Sequence, residues 1–198
     1  FGSTSESGIF SMETGGLKEV ANPAGLFLEN RAENAPGSVV CACMEGNRPI
    51  MVEVQALVAK TPYGMPRRTA VGFDYNRVTM LLAILERRLG MDFGAYDAYV
   101  NVVGGMRVTE PAADLAVAAA LVSSYRNRPI PHGVLVMGEV GLTGEVRRIG
   151  SPERRIKDAM NLGFKRFVLP MGKLSLDEPC NGIVQVKTLE EALDKVFA

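Results

Sequence analysis

PAADLAVAAALVSSY, Pro111 to Tyr125, is apolar nearly all the way round when wound as a helix. A helix without a polar face is stable only when packed on every side, so this run predicts a central helix covered by a sheet and by other helices. The flanking sequence supplies both. Ser38 to Met44 is apolar or small at every position, as in a strand buried on both faces. Pro49 to Ala59 places Val52, Val54, Ala56 and Val58 on one face, and the two runs predict adjacent antiparallel strands.

Outside that core the hydrophobic period changes. Val78, Leu81, Leu82, Leu85 and Leu89 recur at helical spacing behind Asp74, a plausible cap. Ala98 to Val103 predicts a strand ending at the turn Gly104-Gly105, and Gly133 to Met137 a second buried strand. Ser151-Pro152 places a capping residue before a proline at the first helical position; Ile156, Ala159 and Met160 share a face, and Gly163 stands where a helix ends. Short strands follow at Phe167 to Leu169 and Ile183 to Val186. A last helix opens on the capping box Thr188 to Glu191 and buries Leu189, Ala192, Leu193, Val196 and Phe197. KTPYGMPRR, Lys60 to Arg68, carries two prolines and a glycine and predicts an exposed loop. Residues 1–16, polar and Gly/Ser-rich around Ile9, Phe10 and Met12, predict a linker running into an edge strand, and 17–198 one domain. The fold class expected is α/β: a two-layer mixed sheet with helices.

Composition excludes several function classes. With 198 residues, 47% of them hydrophobic, the chain can bury a core, while 22 basic against 22 acidic residues leave no overall field to draw it to nucleic acid or a membrane. Three cysteines and one histidine cannot furnish a four-ligand zinc site together with the partners that orient its ligands without carboxylates, nor a disulfide framework. A reducing, cytoplasmic compartment is the natural expectation, and no apolar run is long enough to span a membrane. Walker, G-x-S-x-G and dinucleotide motifs are absent. Cys41 and Cys43 fall on one face of a buried strand and act as small core residues. His132, between Pro131 and Gly133, belongs to a loop, with no nucleophile placed beside it.

Two segments carry chemistry when taken together: VTEPAADLAVAAALVSS, Val108 to Ser124, and GEVGLTGEVRRIGSPERR, Gly138 to Arg155. They resemble the two active-site segments of the Lon protease proteolytic domain, where a serine follows a proline at the start of an Ala-rich helix and a lysine follows a glycine-rich run. The resemblance implies that domain's fold, in the ribosomal-protein second-domain-like superfamily. In this register the serine position falls on Ala112 and the lysine position on Glu153. Such chemistry needs a hydroxyl and a neutral amine to take its proton, and loss of the nucleophile alone costs about a millionfold in turnover. The hydroxyls nearby, Ser123, Ser124 and Ser151, suit helix-end and capping roles. An active Lon-type serine peptidase with a relocated nucleophile is the alternative.

Further stretches resemble the C-terminal, non-proteolytic Lon-like domain of the bacterial RadA (Sms) family of DNA repair proteins. They are Phe1-Gly2-Ser3-Thr4, Asn22-Pro23, Leu26-Phe27-Leu28, MEGNRPIMVEVQALV (Met44 to Val58), Pro66-Arg67-Arg68, Asn76-Arg77-Val78, Glu110-Pro111-Ala112, LTGEVRR (Leu142 to Arg148) and LGFKR (Leu162 to Arg166). The resemblance implies part of a hexameric, ATP-driven motor that promotes branch migration in homologous recombination, with this domain as ring scaffold and DNA-contacting surface. The partners it implies are single-stranded and branched DNA, further copies of the chain, and a recombinase filament. The ATPase core and a four-cysteine zinc module would lie outside a fragment beginning at Phe1, so ATP, magnesium and zinc are expected there and no cofactor here. An accessory domain of a magnesium-chelatase-like ATPase is a third reading, against which Phe1 to Thr4 speaks.

Paired arginines give the DNA expectation a physical basis: charge is segregated though balanced. Arg67, Arg68, Arg77, Arg147, Arg148, Arg154, Arg155, Lys157, Lys165 and Arg166 are the candidate contacts, with Arg87-Arg88 a further pair. Arg67 and Arg68 lead, because no carboxylate stands near them in the chain. Repeated around a ring, a modest patch gains affinity through multiplicity.

Overall fold

The computed structural model describes residues 10–13, 15–19, 34–62, 64–176 and 179–198. Phe1 to Thr4, Asn22-Pro23 and Leu26 to Leu28, which carry part of the family resemblance, lie outside these. The strands are β1 (Phe10–Glu13), β2 (Gly16–Glu19), β3 (Ser38–Glu45), β4 (Arg48–Lys60), β5 (Arg68–Val71), β6 (Tyr96–Val102), β7 (Val134–Val136), β8 (Glu139–Val140), β9 (Val146–Arg147), β10 (Arg166–Pro170) and β11 (Ile183–Val186). The helices are α1 (Tyr75–Leu89), α2 (Asp114–Tyr125), α3 (Pro152–Asn161) and α4 (Leu189–Val196). Seven strands form one mixed sheet in the order β11-β10-β7-β3-β4-β6-β5. Within it β4 runs against its two neighbours, while the β11-β10-β7-β3 and β6-β5 pairings are parallel.

α2 is the buried centre that its sequence requires: Asp114 through Ser123 are all out of solvent, and Ala116, Ala118, Ala119 and Ala120 are fully enclosed. Alanine allows this because its small side chain lets helix and sheet approach closely at little entropic cost. The apolar stripes of α1 and α4 join α2 against one face of the sheet, where Val39, Cys41, Val54, Val100, Val136 and Val168 point. Successive strand residues face opposite ways, so Val40, Ala42, Leu135, Phe167 and Leu169 form a second core on the other face. Ile156 and Ala159 of α3 close it. The expected two layers are therefore three on the β3-β7-β10 side. α3 has polar residues on its solvent side and an apolar stripe that demands its own sheet face.

Other expectations are met or shifted locally. Asp74 caps α1 by accepting from the Arg77 amide at 2.8 Å, and Gly90 ends the helix in the left-handed region. Thr188 accepts from the Glu191 amide, while the Glu191 carboxylate reaches Lys187 instead of Thr188. Ser151 departs from its expected role. It holds a left-handed φ of 52° and its side chain makes no cap bond, so Pro152 opens α3 unaided. The Lys60–Arg68 loop is shorter than expected, since Arg68 starts β5, and the lead-in pairs as a β1–β2 hairpin rather than as an edge of the main sheet. The short β8–β9 hairpin, which reaches into LTGEVRR, has no periodic signal in the sequence.

Candidate functional site

Ala112 lies in a short 3₁₀ turn, Pro111–Ala113, that leads into α2; it is buried, and its carbonyl accepts from the Gly138 amide at 2.7 Å. In the register of the Lon resemblance this is the nucleophile's position, and it carries a methyl group. Glu153, in the first turn of α3, accepts from the Ser175 amide at 3.3 Å. The neighbouring hydroxyls have structural work. Ser123 Oγ accepts from the Gly37 amide at 2.8 Å and donates to the Arg128 carbonyl at 2.6 Å, and Ser124 Oγ accepts from the Val58 amide at 2.9 Å.

Glu110, just before that turn, forms an ion pair with a buried arginine. Arg155, fully buried, donates Nε to the Gly150 carbonyl at 2.8 Å and Nη1 to the Ala42 carbonyl at 2.5 Å, and both terminal nitrogens engage the Glu110 carboxylate. Glu110 Oε2 also accepts from the Met44 amide at 2.8 Å. One guanidinium thus ties β3, the segment before α2 and the loop before α3, and its planar fork suits bidentate pairing. Cys41 and Cys43 lie on the opposite side of β3 with their sulfurs 3.6 Å apart. The hydrogen bond with Cys43, burial and the Glu110 charge hold the Cys41 thiol well above its ordinary range. The thiolate is the nucleophilic form, so this sulfur is inert at neutral pH.

A second buried pair joins α1 to α2. Arg77 donates Nε to Asp114 Oδ1 at 2.8 Å and pairs through Nη2 with Oδ2, which also accepts from the Val140 amide at 3.1 Å. Burial lifts the Asp114 carboxyl above the usual carboxylate range, against the pull of Arg77 and the Val140 amide. Asp114 raises the Arg77 guanidinium in turn.

These bonds engage part of the expected basic surface. Arg155 and Arg77 are committed to carboxylates, and Arg68 donates to the Tyr96 and Phe93 carbonyls, the latter at 2.7 Å. Arg67 is exposed, but the fold brings Asp97 to it: the Arg67 amide donates to Asp97 Oδ1 at 2.8 Å, so the lack of a nearby carboxylate in the chain does not survive folding. Arg147, with over half its side chain exposed, stands 3.4 Å from Glu139 and 4.0 Å from Glu145. Arg148, Arg154, Lys157 and Lys165 are exposed, and Arg166 is half-buried. Arg148 Nε reaches the Met171 carbonyl at 3.4 Å, and Arg154 Nη1 the Asn47 carbonyl at 3.5 Å. That last contact sets α3 against the β3–β4 turn, whose next residue, Arg48, is exposed and absent from the candidates read in the sequence; its signal is the hairpin tip Gly46-Asn47. Arg87 and Arg88 occupy the last turn of α1, where the helix dipole favours cations. Among the described residues no group of three or more His, Cys, Asp and Glu is placed to hold a metal ion, and no helix is long and apolar enough to cross a membrane.

Residues 54–173, from β4 through β10, match the family model described as ChlI, subunit ChlI of Mg-chelatase. The chain belongs to the ChlI family. This ChlI domain is also similar along its whole length to proteins named DNA repair protein RadA. It is 49% identical to that of Halalkalibacterium halodurans over 98% of the chain and 43% of the relative. The figures are 50% for Pseudomonas aeruginosa, over 100% of the chain and 44% of the relative, and 48% for Bacillus subtilis, over 98% and 43%. The chain therefore spans less than half the length of these curated relatives.

Proposed function

We propose that this ChlI-family chain is a non-proteolytic, Lon-like DNA-binding and ring-scaffold domain of a RadA-type DNA repair motor acting in branch migration. The observation that carries the reading is the near-50% identity, over the whole chain, to proteins named DNA repair protein RadA. The site chemistry supports it. Ala112 and Glu153 stand where a Lon-type dyad would need a hydroxyl and an amine, and Glu110, two residues before Ala112, is engaged by the buried Arg155.

The DNA surface proposed runs along the exposed side of α3 and the β3–β4 turn, with Arg154, Lys157 and Arg48 as lead contacts. Arg148, Arg147, Lys165, Arg166 and Arg67 are secondary. ATP, magnesium and zinc belong, on this reading, to other parts of such a motor, and hexamer formation would multiply a weak patch.

Fluorescence anisotropy of the chain with single-stranded and duplex DNA at several salt concentrations tests the reading. Binding at low salt should weaken with a log-log slope of about −0.9 for each duplex phosphate contacted, and Arg154→Ala with Lys157→Ala should flatten that slope. Absence of binding at low salt to either form would leave only the scaffold role, which light scattering checks. A serine-directed covalent probe should leave the chain unlabelled; labelling would support the peptidase alternative. The family description favours a second reading, an accessory domain of a chelatase-like ATPase, which predicts no salt-dependent DNA binding.

A further inference from the structure

Three carboxylates beside the main sheet are held in different ways. Asp114 has Arg77 and Glu110 has Arg155. Glu53, 4% exposed on β4, accepts at Oε1 from the Ser38 hydroxyl at 2.6 Å and the Gln55 side-chain amide at 3.0 Å, and no cation pairs with it among the described residues. Both donors are neutral and both reach Oε1; Oε2 has no partner among the described residues and Glu53 lines an open cleft, so an entering cation would find an acceptor there.

The surroundings fit such an entry. α3 covers its side of the sheet around β3, β7, β10 and the start of β4, where Met51 joins that core. On the same side of β4, β6 and β5, register sets Gln55 beside Asn101 and Val71, and Leu57 beside Tyr99 and Thr69. Leu57 is 60% exposed and Val71 53%, while Tyr99 is half-buried. A cleft of about 240 Å³ opens where this surface meets residues 35–38, and Glu53, Gln55, Leu57, Tyr99 and Asn101 line it. Its border is fixed by Gly37, whose carbonyl accepts from the Ala56 amide at 2.7 Å and whose own amide donates to Ser123. With φ at 89° and a Cβ there colliding with the Ala56 carbonyl, glycine is required. The other charges on this side are Asp97, engaged by Thr61, Tyr99 and the Arg67 amide, and Arg67 beyond it.

We propose that this cleft is a docking site for a basic side chain, an arginine, presented by an apolar stretch of a partner polypeptide. The guanidinium meets the Glu53 carboxylate, and the flanking apolar residues rest on Leu57 and Tyr99. Neither the family match nor the DNA reading assigns this surface, and it lies on different elements from the proposed DNA contacts of α3.

Amide NMR spectra of the chain titrated with acetyl-Leu-Arg-Leu-amide, and in parallel with the isosteric neutral citrulline peptide, test the proposal. The arginine peptide should shift Gln55, Tyr99 and Asn101 saturably and bind about tenfold more tightly, the scale of one charge-assisted hydrogen bond. Glu53→Gln should erase that preference, and the comparison of peptides on the unaltered chain stands even if the variant misfolds. Equal shifts with both peptides, or none, would overturn the proposal. Shifts that track protein concentration without peptide would also overturn it, assigning the surface to a second copy of the chain.

Discussion

The β3-β7-β10 side of the sheet, with the start of β4, is covered on both faces, whereas β6, β5 and the end of β4 are covered by helices on one. Each side handles charge accordingly. On the doubly covered side, the fully buried Arg155 guanidinium is neutralised by Glu110, because water does not reach it; on the other, Leu57, Gln55 and Asn101 still face solvent and Asp97 is satisfied by hydrogen bonds. Burial, more than residue type, decides whether an arginine is part of the architecture or part of the surface.

The largest effect should come from breaking the enclosed pair. Glu110→Ala leaves a fully buried guanidinium without its counter-ion and the Met44 amide without its acceptor, and should cost about 3–5 kcal/mol, read as a lowered urea midpoint at unchanged slope.

A pH titration of aspartate carboxyl carbons sharpens the contrast. Asp114 should titrate above the ordinary aspartate value, because burial dominates, and Asp97 below it, because the Arg67 amide and then the Thr61 hydroxyl bind its charged form. The stability consequences have opposite signs. Asp97 contributes stability present above its unfolded pKa and lost as pH falls through its folded one, so Asp97→Asn should blunt the acid-side loss. Asp114 weakens the fold as pH rises from its unfolded to its folded pKa, and Asp114→Asn should remove that slope. Equal pKa values for the two would dissolve the distinction.

Ser151→Gly relieves a left-handed non-glycine residue at the mouth of α3 and should stabilise by about 0.5–1 kcal/mol in the same urea assay. Leu57→Ala, on the open surface, should change stability by less than about 0.5 kcal/mol. A large loss there would mean that this side is as enclosed as the other.

Much of the architecture is legible from the chain because it depends on neighbours a few residues apart. Asp74, Gly90, Gly163 and Thr188 end or start helices through local backbone bonds, and the alternation in β3 and β4 sets their faces. β5 and the β8–β9 hairpin are not legible, being too short to establish a period. The ion pairs escape for another reason. Arg77 and Asp114 are 37 residues apart and Arg155 and Glu110 are 45 apart, and no spacing rule reaches that far.

The sequence by itself therefore determined that an alanine-rich helix must be central, that strands must cover it, and that a methyl group stands at position 112. Those statements concern side-chain size and short-range periodicity. Only the tertiary structure decided which arginines are locked to carboxylates and which meet solvent, and that Glu53 has, among the described residues, only neutral donors. Charge compensation depends on distance in space and on exclusion of water, and neither exists until the chain has folded.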